Sequence, residues 1–497
     1  MGAAAPRCGA AAALLLLALS GCAVGPDFVS PKAPQGSHYA IGADPLATVS
    51  AGTAQRFAPG AEVAADWWRL FNSEKLGALV KEAFAGNPGL AAAEASLRQS
   101  QDSLRAGYGV FFPALDGQAG AERERYSSLK LGQGGTARVF SLLTLSATVS
   151  YALDLWGGER RTVEALGAQV DYQRATERAT ALTLSANIVN TVIAKAAYRA
   201  EIEATEQLIE LQKQQVRLGE VQARAGTVPY SNVLSLVSQL ATDEAAIPPL
   251  EQKAAEADHL LATLSGHTPA EWTPQEIGLA DLALPADLPL SLPSELVRHR
   301  PDILVAEATL HAASANVGVA TAALLPSVTL SGGYGTNNNA VGNLFAASGN
   351  FWNFGANLTT PLFDGGTLWF QRKAAIETFK EEAALYRQTV LAAFAQVADT
   401  LRALEHDAET LSAQDAALKA AAEALHLVGA NYQAGIATYL DVLSADAQYH
   451  QAKINDLETV ALRYQDTVAL FTALGGGWWN AGDKEARAAG APGAALP

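Results

Sequence analysis

Four segments of the chain alternate apolar and polar residues with a period of two. The clearest covers residues 143–154, where Leu, Leu, Ala, Val, Tyr and Leu take turns with Thr, Ser, Thr, Ser, Ala and Asp. Residues 328–335 and 353–358 alternate in the same way, and residues 115–127 do so less clearly because 122–125 are all charged. A transmembrane β-strand of about 9 to 11 residues has this alternation, and so does a half-buried edge strand of a soluble sheet.

Two longer segments contain no proline and are rich in Ala, Leu, Glu, Gln and Arg, which favours helix. They run from residue 158 to about 225 and from 366 to about 434. Apolar residues recur in them at three- and four-residue spacing, so each helix has a face to bury. Gly226 and Gly435 follow, and glycine accepts the left-handed conformation that ends a helix. We therefore expect each segment to begin a long antiparallel helical hairpin.

These segments occur twice in the same order. The recurring motifs are Asn87-Pro88 with Arg300-Pro301 and Phe112-Pro113 with Leu325-Pro326, both 213 residues apart, then Ala225-Gly226 with Ala434-Gly435, 209 apart. This spacing is far longer than the roughly 20 to 50 residues of solenoid repeats, so it indicates one duplicated module. Four strands in two hairpins cannot close a barrel, and an open sheet edge is unfavourable in hydrocarbon. Several copies must pool their strands, and an open lumen favours a trimer over a dimer.

The N-terminus has the layout of a secretory signal, with one arginine, an apolar run over residues 10–19 and small residues after it. It ends in Leu19-Ser20-Gly21-Cys22, which resembles the bacterial lipobox. This resemblance implies that Cys22 carries an S-diacylglycerol and an N-acyl group and is the first residue of the mature protein. An ordinary signal peptide with an incidental cysteine is the alternative. Cys8 lies inside the signal, so the mature chain can form no internal disulfide.

Composition narrows the function. The chain of 497 residues is 49% hydrophobic and carries a formal charge of −16, which argues against binding nucleic acid. No segment after the signal offers 18 uninterrupted apolar residues, so no helical membrane span is expected. The eight histidines lack metal-site spacing, no thiol nucleophile survives processing, and the glycine-rich stretch 132–135 lacks the lysine of a phosphate loop. We predict no catalytic residues, no metal and no cofactor other than the covalent lipid.

Five motifs resemble those of the TolC-like outer-membrane factors, and the nearest branch is the NodT-type lipoproteins that serve resistance-nodulation-division pumps. The motifs are GCAVGPDF from Gly21, DWW from Asp66, YALDLWG from Tyr151, RPDI from Arg300 and LFDGG from Leu362. The resemblance extends from residue 22 to about 478.

The resemblance implies a mixed α and β membrane protein. A homotrimer would form a 12-stranded β-barrel in the outer membrane, continuous with a 12-helix periplasmic α-barrel and surrounded by a mixed equatorial domain. Such a duct passively conducts small molecules from an inner-membrane pump, through a periplasmic adaptor protein, to the exterior. The expected segments are a signal peptide at 1–21, a lipidated extension at 22–65, one repeat at 66–292, a second at 293–476 and a tail at 477–497.

Two alternatives stay open. One is the outer-membrane exit duct of a type I secretion system. The other is a periplasmic adaptor lipoprotein, which should carry one long hairpin in a largely non-duplicated chain.

The resemblance also implies a gate at the hairpin ends, where the duct is constricted and the adaptor docks. The residues expected in the docking turns are Gly226, Tyr230, Gly435 and Tyr439. Loops at 130–138 and 336–349 are expected at the opposite, extracellular end.

Asp441 matches the first of two aspartates that form charged rings in some relatives, whereas the second position is Ser444 here. Three copies of one acidic residue around the axis would repel one another and attract cations. Tyr432 matches a tyrosine of the closed-state network, but its expected acidic partner aligns with Asn232 and a nearby arginine position is Ala437. The alternative for Asp441 is a carboxylate that stabilises a helix N-terminus.

Overall fold

The computed structural model describes residues 23–34, 38–39, 45–49, 53–126 and 138–481. The predicted lipidation at Cys22 and nearly all of the predicted loop at 130–138 lie outside the described residues.

The helices and strands of the first half are, in order, β1 (Arg56–Pro59), α1 (Glu74–Gly86), α2 (Pro88–Gly107), β2 (Ala114–Tyr126), β3 (Arg138–Leu153), α3 (Gly158–Arg224), α4 (Tyr230–Glu244) and α5 (Ile247–Leu264). Those of the second half are β4 (Asp287–Leu290), α6 (Pro293–His299), α7 (Pro301–Ala322), β5 (Ser327–Asn338), β6 (Asn350–Thr359), α8 (Thr367–Gln433) and α9 (Tyr439–Ala473). The two long helices have 67 residues each. Their predicted bounds are confirmed to within about a residue.

All four alternating segments are strands of one antiparallel sheet, in the order β2-β3-β5-β6. The register places Leu115 opposite Val149 and Val328 opposite Leu358, so apolar residues meet on one face. That face is exposed in the single chain, as Phe354 with 78% of its surface accessible illustrates. The strand prediction is therefore confirmed, including the highly charged first segment.

One loop boundary was wrong. The loop predicted at 336–349 loses its first residues to β5, which continues to Asn338 because Thr336 pairs with Asn350 and Asn338 with Leu143. The rest of the segment forms two short 3-10 turns, Val341–Asn343 and Ala347–Gly349.

The chain divides into two compact units. The first comprises Met1–Pro31, Leu97–Gln173 and Ala306–Tyr386 and contains the sheet. In it, the segment that follows Cys22 is fixed by several contacts. The buried Arg161 donates to the carbonyl of Val24 at 3.3 Å and pairs with Asp27 at 2.6 Å. Phe28 stacks on His311 with 4.3 Å between ring centroids.

The second unit comprises Lys32–Ser96, Arg174–Val305 and Arg387–Pro497 and holds the main apolar core. Strands β1 and β4 pair in parallel and contribute Phe57, Leu288 and Leu290 to this core. Trp67 is buried and stacks on Phe471, with 5.3 Å between the ring centroids. The core also includes buried apolar residues of α3 between Leu184 and Ala197, and others in the C-terminal third of α9.

One described helix, α7, is long and apolar enough to cross a membrane by length and composition alone. Of its most apolar 18-residue window, 44% is buried, and a packed core helix meets the same criterion.

Candidate gate at the ends of the helical hairpins

Both long helices end in the same turn. Gly226 and Gly435 have φ angles of +75° and +74°, the left-handed region that glycine adopts without strain. In the first turn, Thr227 donates its backbone N–H to Gln222 and Gly226 donates to Ala223, both at 3.0 Å. Residues 431–436 repeat this pattern around Gly435. It is the Schellman motif, which satisfies the last carbonyls of a helix and reverses the chain.

After each turn the chain returns along the long helix. On the first hairpin, Gln212 of α3 donates to Asp243 of α4 at 2.7 Å, and Gly219 lies against Leu236. The residue numbers rise on one helix as they fall on the other, so the helices are antiparallel. The predicted reversal at Gly226 is confirmed.

The second hairpin contacts the first through two tyrosines. Tyr432, near the end of α8, donates its hydroxyl to Gln222 at 3.2 Å, and Tyr439, at the start of α9, donates to Gln215 at 3.0 Å. The two rings meet edge to face with 5.9 Å between centroids. Burial raises the pKa of the Tyr439 hydroxyl, with smaller contributions from Asp446 and Tyr432, so the neutral donor form is favoured.

Asp441 lies in the first turn of α9 and is exposed. Its carboxylate accepts hydrogen bonds from the backbone N–H of Thr438 at 2.7 Å and from the hydroxyl of Thr438 at 2.6 Å. The Thr438 side chain in turn caps the helix, so the two residues form a capping box. These hydrogen bonds lower the pKa of Asp441. A structural role in capping is thus present, and the carboxylate is also ionised and accessible to solvent.

The other predicted gate residues are distributed differently. Ser444, one helical turn after Asp441, is exposed on the same helix. Asn232 is exposed on α4, whereas the hydroxyl of Tyr432 binds Gln222 of α3. Tyr230 is 65% exposed although it matches the half-buried Tyr439 in the sequence repeat. The structure therefore joins Tyr432 and Tyr439 to each other and to glutamines, and leaves Asn232 and Tyr230 on the surface.

Sequence reasoning missed a set of buried polar residues behind the tyrosines. Asp446 is only 1% exposed, hydrogen-bonds to Gln212, and has an Oδ2 atom with no partner among the described residues. Burial raises its pKa to about 6, and nearby Asp243 adds to the effect. His450 lies 3.2 Å from the hydroxyl of Thr205, and burial lowers the pKa of this imidazole.

A sequence signal for this set exists. Tyr439 and Asp446 are seven residues apart on α9, and Gln215 and Gln222 are seven apart on α3. Positions seven apart lie on one side of a helix that packs in coiled-coil fashion, so the heptad spacing places them in one seam. Apolar residues dominate such seams, and a search restricted to apolar periodicity overlooks polar ones.

Comparison with known proteins identifies the family. The profile described as "Outer membrane efflux protein" matches residues 79–267 and 292–476. The chain is an outer membrane efflux protein. The pyoverdine export outer membrane protein OpmQ of Pseudomonas aeruginosa is 33% identical over 420 residues, which cover 83% of this chain and 87% of OpmQ. Nodulation protein T of Rhizobium leguminosarum bv. viciae is 27% identical, over 94% of this chain and 93% of that protein.

The solved structures agree. The outer-membrane channel OprN superposes with a TM-score of 0.83 at 27% identity, over 92% of this chain and 100% of the OprN chain. The resemblance to outer-membrane factors is thus confirmed, and this outer membrane efflux protein has the mixed α and β fold of those channels. Its place is the outer membrane and its function is efflux, so the alternative of a periplasmic adaptor is set aside.

Proposed function

We propose that three copies of this outer membrane efflux protein assemble into one passive duct. The observation that carries the proposal is the four-stranded sheet with an exposed apolar face and, among the described residues, one neighbouring strand for each of β2 and β6. Unpaired edge strands are not tolerated in hydrocarbon. Three copies close a barrel of 12 strands, and their long hairpins supply 12 helices for a periplasmic barrel.

The lipid on Cys22 is an additional tether in this proposal. Acyl chains contribute about 0.8 kcal/mol for each buried methylene, so a multiply acylated cysteine holds firmly to a bilayer. The segments 22–65, 66–292 and 293–476 then act as an anchored extension and two repeats, each contributing one β-hairpin and one helical hairpin. Substrate enters from an inner-membrane pump through a periplasmic adaptor that docks at the turns around Gly226 and Gly435.

The gate in this proposal is the ring formed by Asp441 and Ser444 at the helix ends. Asp441 is exposed and its pKa is lowered, so each protomer presents a full negative charge at neutral pH. The contacts of Tyr432 and Tyr439 with Gln222 and Gln215 hold the second hairpin against the first and fix the position of that ring.

The test is assembly and conduction by the full-length protein. Outer-membrane fractions should contain a trimer that resists heating in detergent, and the purified trimer should form ion-conducting pores in planar bilayers. Recovery of a soluble periplasmic monomer after signal cleavage would contradict the proposal.

For the ring, Asp441→Ala should reduce cation selectivity or change the basal conductance. Thr438→Ala is the matched control, because it removes the capping partner of Asp441 but keeps the charge. Identical currents for the wild-type protein and Asp441→Ala in both measurements would argue against a charged ring.

A further inference from the structure

The two β-hairpins of the sheet are equivalent in register as well as in sequence. Leu115 of β2 pairs with Val149 of β3, and Val328 of β5 pairs with Leu358 of β6. Val328 lies 213 residues after Leu115, the offset of the sequence repeat, and Leu358 lies 209 residues after Val149. The first residues of α3 and α8 are also 209 residues apart, and so are their last residues. β5 is therefore the equivalent of β2, and β6 the equivalent of β3.

The contact between the two hairpins within one chain is the pairing of β3 with β5. It places Leu153 opposite Val328 and Ala147 opposite Tyr334. A second copy that continues the sheet must offer β2 to the free edge of β6. Because β6 is equivalent to β3 and β2 to β5, the internal contact is a template for the contact between copies.

We propose that β6 of one protomer pairs antiparallel with β2 of the next in the register that repeats the internal β3–β5 contact, so that Ala356 faces Ala121 and Leu358 faces Ala119. The same register brings Leu362, three residues beyond the end of β6, level with Leu115 at the start of β2. The partner is a second copy of this chain. The inference rests on the proposed trimeric barrel and adds the residue pairs of its seam.

Two independent features agree with this register. The first is the alternation of faces. Ala119 and Ala121 lie on the apolar face of β2, and Ala356 and Leu358 lie on the apolar face of β6, so the register keeps lipid-facing residues together. A shift of one residue would place the apolar face of one hairpin beside the polar face of the other.

The second feature is the exposure of apolar residues just beyond the end of β6 and at the start of β2. Leu362 is 92% exposed and Leu115 is 72% exposed in the single chain. Their internal equivalents, Leu153 and Val328, face each other and are only partly exposed. The seam gives both exposed leucines an apolar neighbour.

Cysteine cross-linking in the full-length protein tests the register, because Cys22 and Cys8 are the only native cysteines. The in-register double variants are Ala356→Cys with Ala121→Cys, and Leu358→Cys with Ala119→Cys. The matched controls re-pair the same four positions, Ala356→Cys with Ala119→Cys, and Leu358→Cys with Ala121→Cys. Directly opposed residues have Cα atoms about 4.5 to 5.5 Å apart and diagonal ones about 7 to 8 Å. A disulfide needs about 4.4 to 6.8 Å, so only opposed pairs should link.

Oxidation in native membranes should convert both in-register variants into covalent trimers on reducing-agent-free denaturing gels, with little product from the re-paired controls. If the protein assembles into trimers but the controls link better than the in-register variants, or neither set links, the register is overturned and the proposed function stays intact. Absence of any oligomer would count against the proposed function as well.

A charge reversal test covers the case in which cysteines disturb folding. Leu362→Glu should lower the temperature at which the trimer dissociates, and Leu115→Lys in the same chain should restore much of the loss. Ala119→Lys is the control, because that residue faces Leu358 in the proposed register. Equal rescue by both lysines, or rescue by Ala119→Lys alone, would contradict the pairing of Leu362 with Leu115.

Discussion

Replacement of the buried carboxyl of Asp446 by an amide should stabilise the hairpin ends at alkaline pH. Asp446 is 1% exposed between α3 and α9, and burial raises its pKa from 3.8 to about 6. Asparagine has nearly the same shape, and its amide can donate to the side-chain oxygen of Gln212, which has no partner among the described residues. Asp446→Asn therefore removes a buried charge and keeps the local hydrogen bond.

The size of the effect follows from the pKa. The folded state holds its proton more tightly than the unfolded chain, so ionisation opposes folding. This penalty is absent below the ordinary pKa of 3.8, grows as the pH rises, and is complete above about 6. At pH 8 it amounts to about 3 kcal/mol, because one pKa unit corresponds to about 1.4 kcal/mol. A change of about 3 kcal/mol is roughly a 100-fold change in an opening equilibrium.

Hydrogen exchange followed by mass spectrometry measures this opening in the assembled protein. Peptides from the C-terminal half of α3 and the N-terminal half of α9 should exchange up to about 100-fold more slowly in Asp446→Asn than in the wild type at pH 8. At pH 4 the two proteins should differ little. His450 and Asp243 are the other titratable groups near this site, and both are unchanged in the variant.

Asp441→Asn is the matched control because its pKa is shifted in the opposite direction. The lowered pKa of Asp441 means that its ionised form stabilises the folded state, above its ordinary pKa of 3.8. Asp441→Asn should speed exchange near the start of α9 at pH 8. It should have little effect at a pH low enough to protonate Asp441 in both the folded and the unfolded wild-type protein. Faster exchange in Asp446→Asn at pH 8, or the same difference at pH 4 and pH 8, would refute the argument from buried charge.

Three other substitutions test separate features. Cys22→Ser should impair processing and delivery to the outer membrane, measured by fractionation, more than it impairs the conductance of the trimers that do assemble. Gly435→Ala places a Cβ at a φ of +74° and should destabilise the turn by about 1 kcal/mol. The expected result is faster proteolysis between α8 and α9, whereas the control Gly429→Ala, inside α8, should not speed proteolysis there. Lys195→Met leaves Asp258 without the lysine that pairs with it at 2.6 Å, and it should lower the free energy of unfolding by about 3 kcal/mol. Adding Asp258→Leu removes the uncompensated charge and should restore part of that loss.

The period-two and helical patterns were sufficient to predict the sheet and the long helices. The strands could be found because an apolar environment on one face of a sheet and water on the other require strict alternation of side chains, as in residues 143–154. The helix ends could be found because Gly226 and Gly435 both occupy the left-handed conformation. Even β2 was located correctly, since the repeat supplied a second copy of its position when its charged residues obscured the alternation.

The candidate gate was predicted less completely. The repeat equates Tyr230 with Tyr439, but only Tyr439 is half-buried and bound to Gln215, because the two hairpins have different neighbours. Asp446 carried no local signal of burial, since a single aspartate in a helix is usually exposed. Its environment depends on how α9 packs against α3, a contact between residues more than 200 positions apart in the chain.

The distribution of buried polar residues explains why the hairpin ends, and not the apolar core of the second unit, are suited to move. In the second unit, Trp67, Phe71 and Phe471 form a close-packed apolar core, where any displacement opens a cavity. Near the turns the helices meet through Tyr432, Tyr439 and their glutamine partners. Hydrogen bonds of this kind contribute only about 1 kcal/mol net, because water can replace either partner. An adaptor that supplies alternative partners for these groups could therefore separate the helix ends at modest cost while the apolar core stays intact.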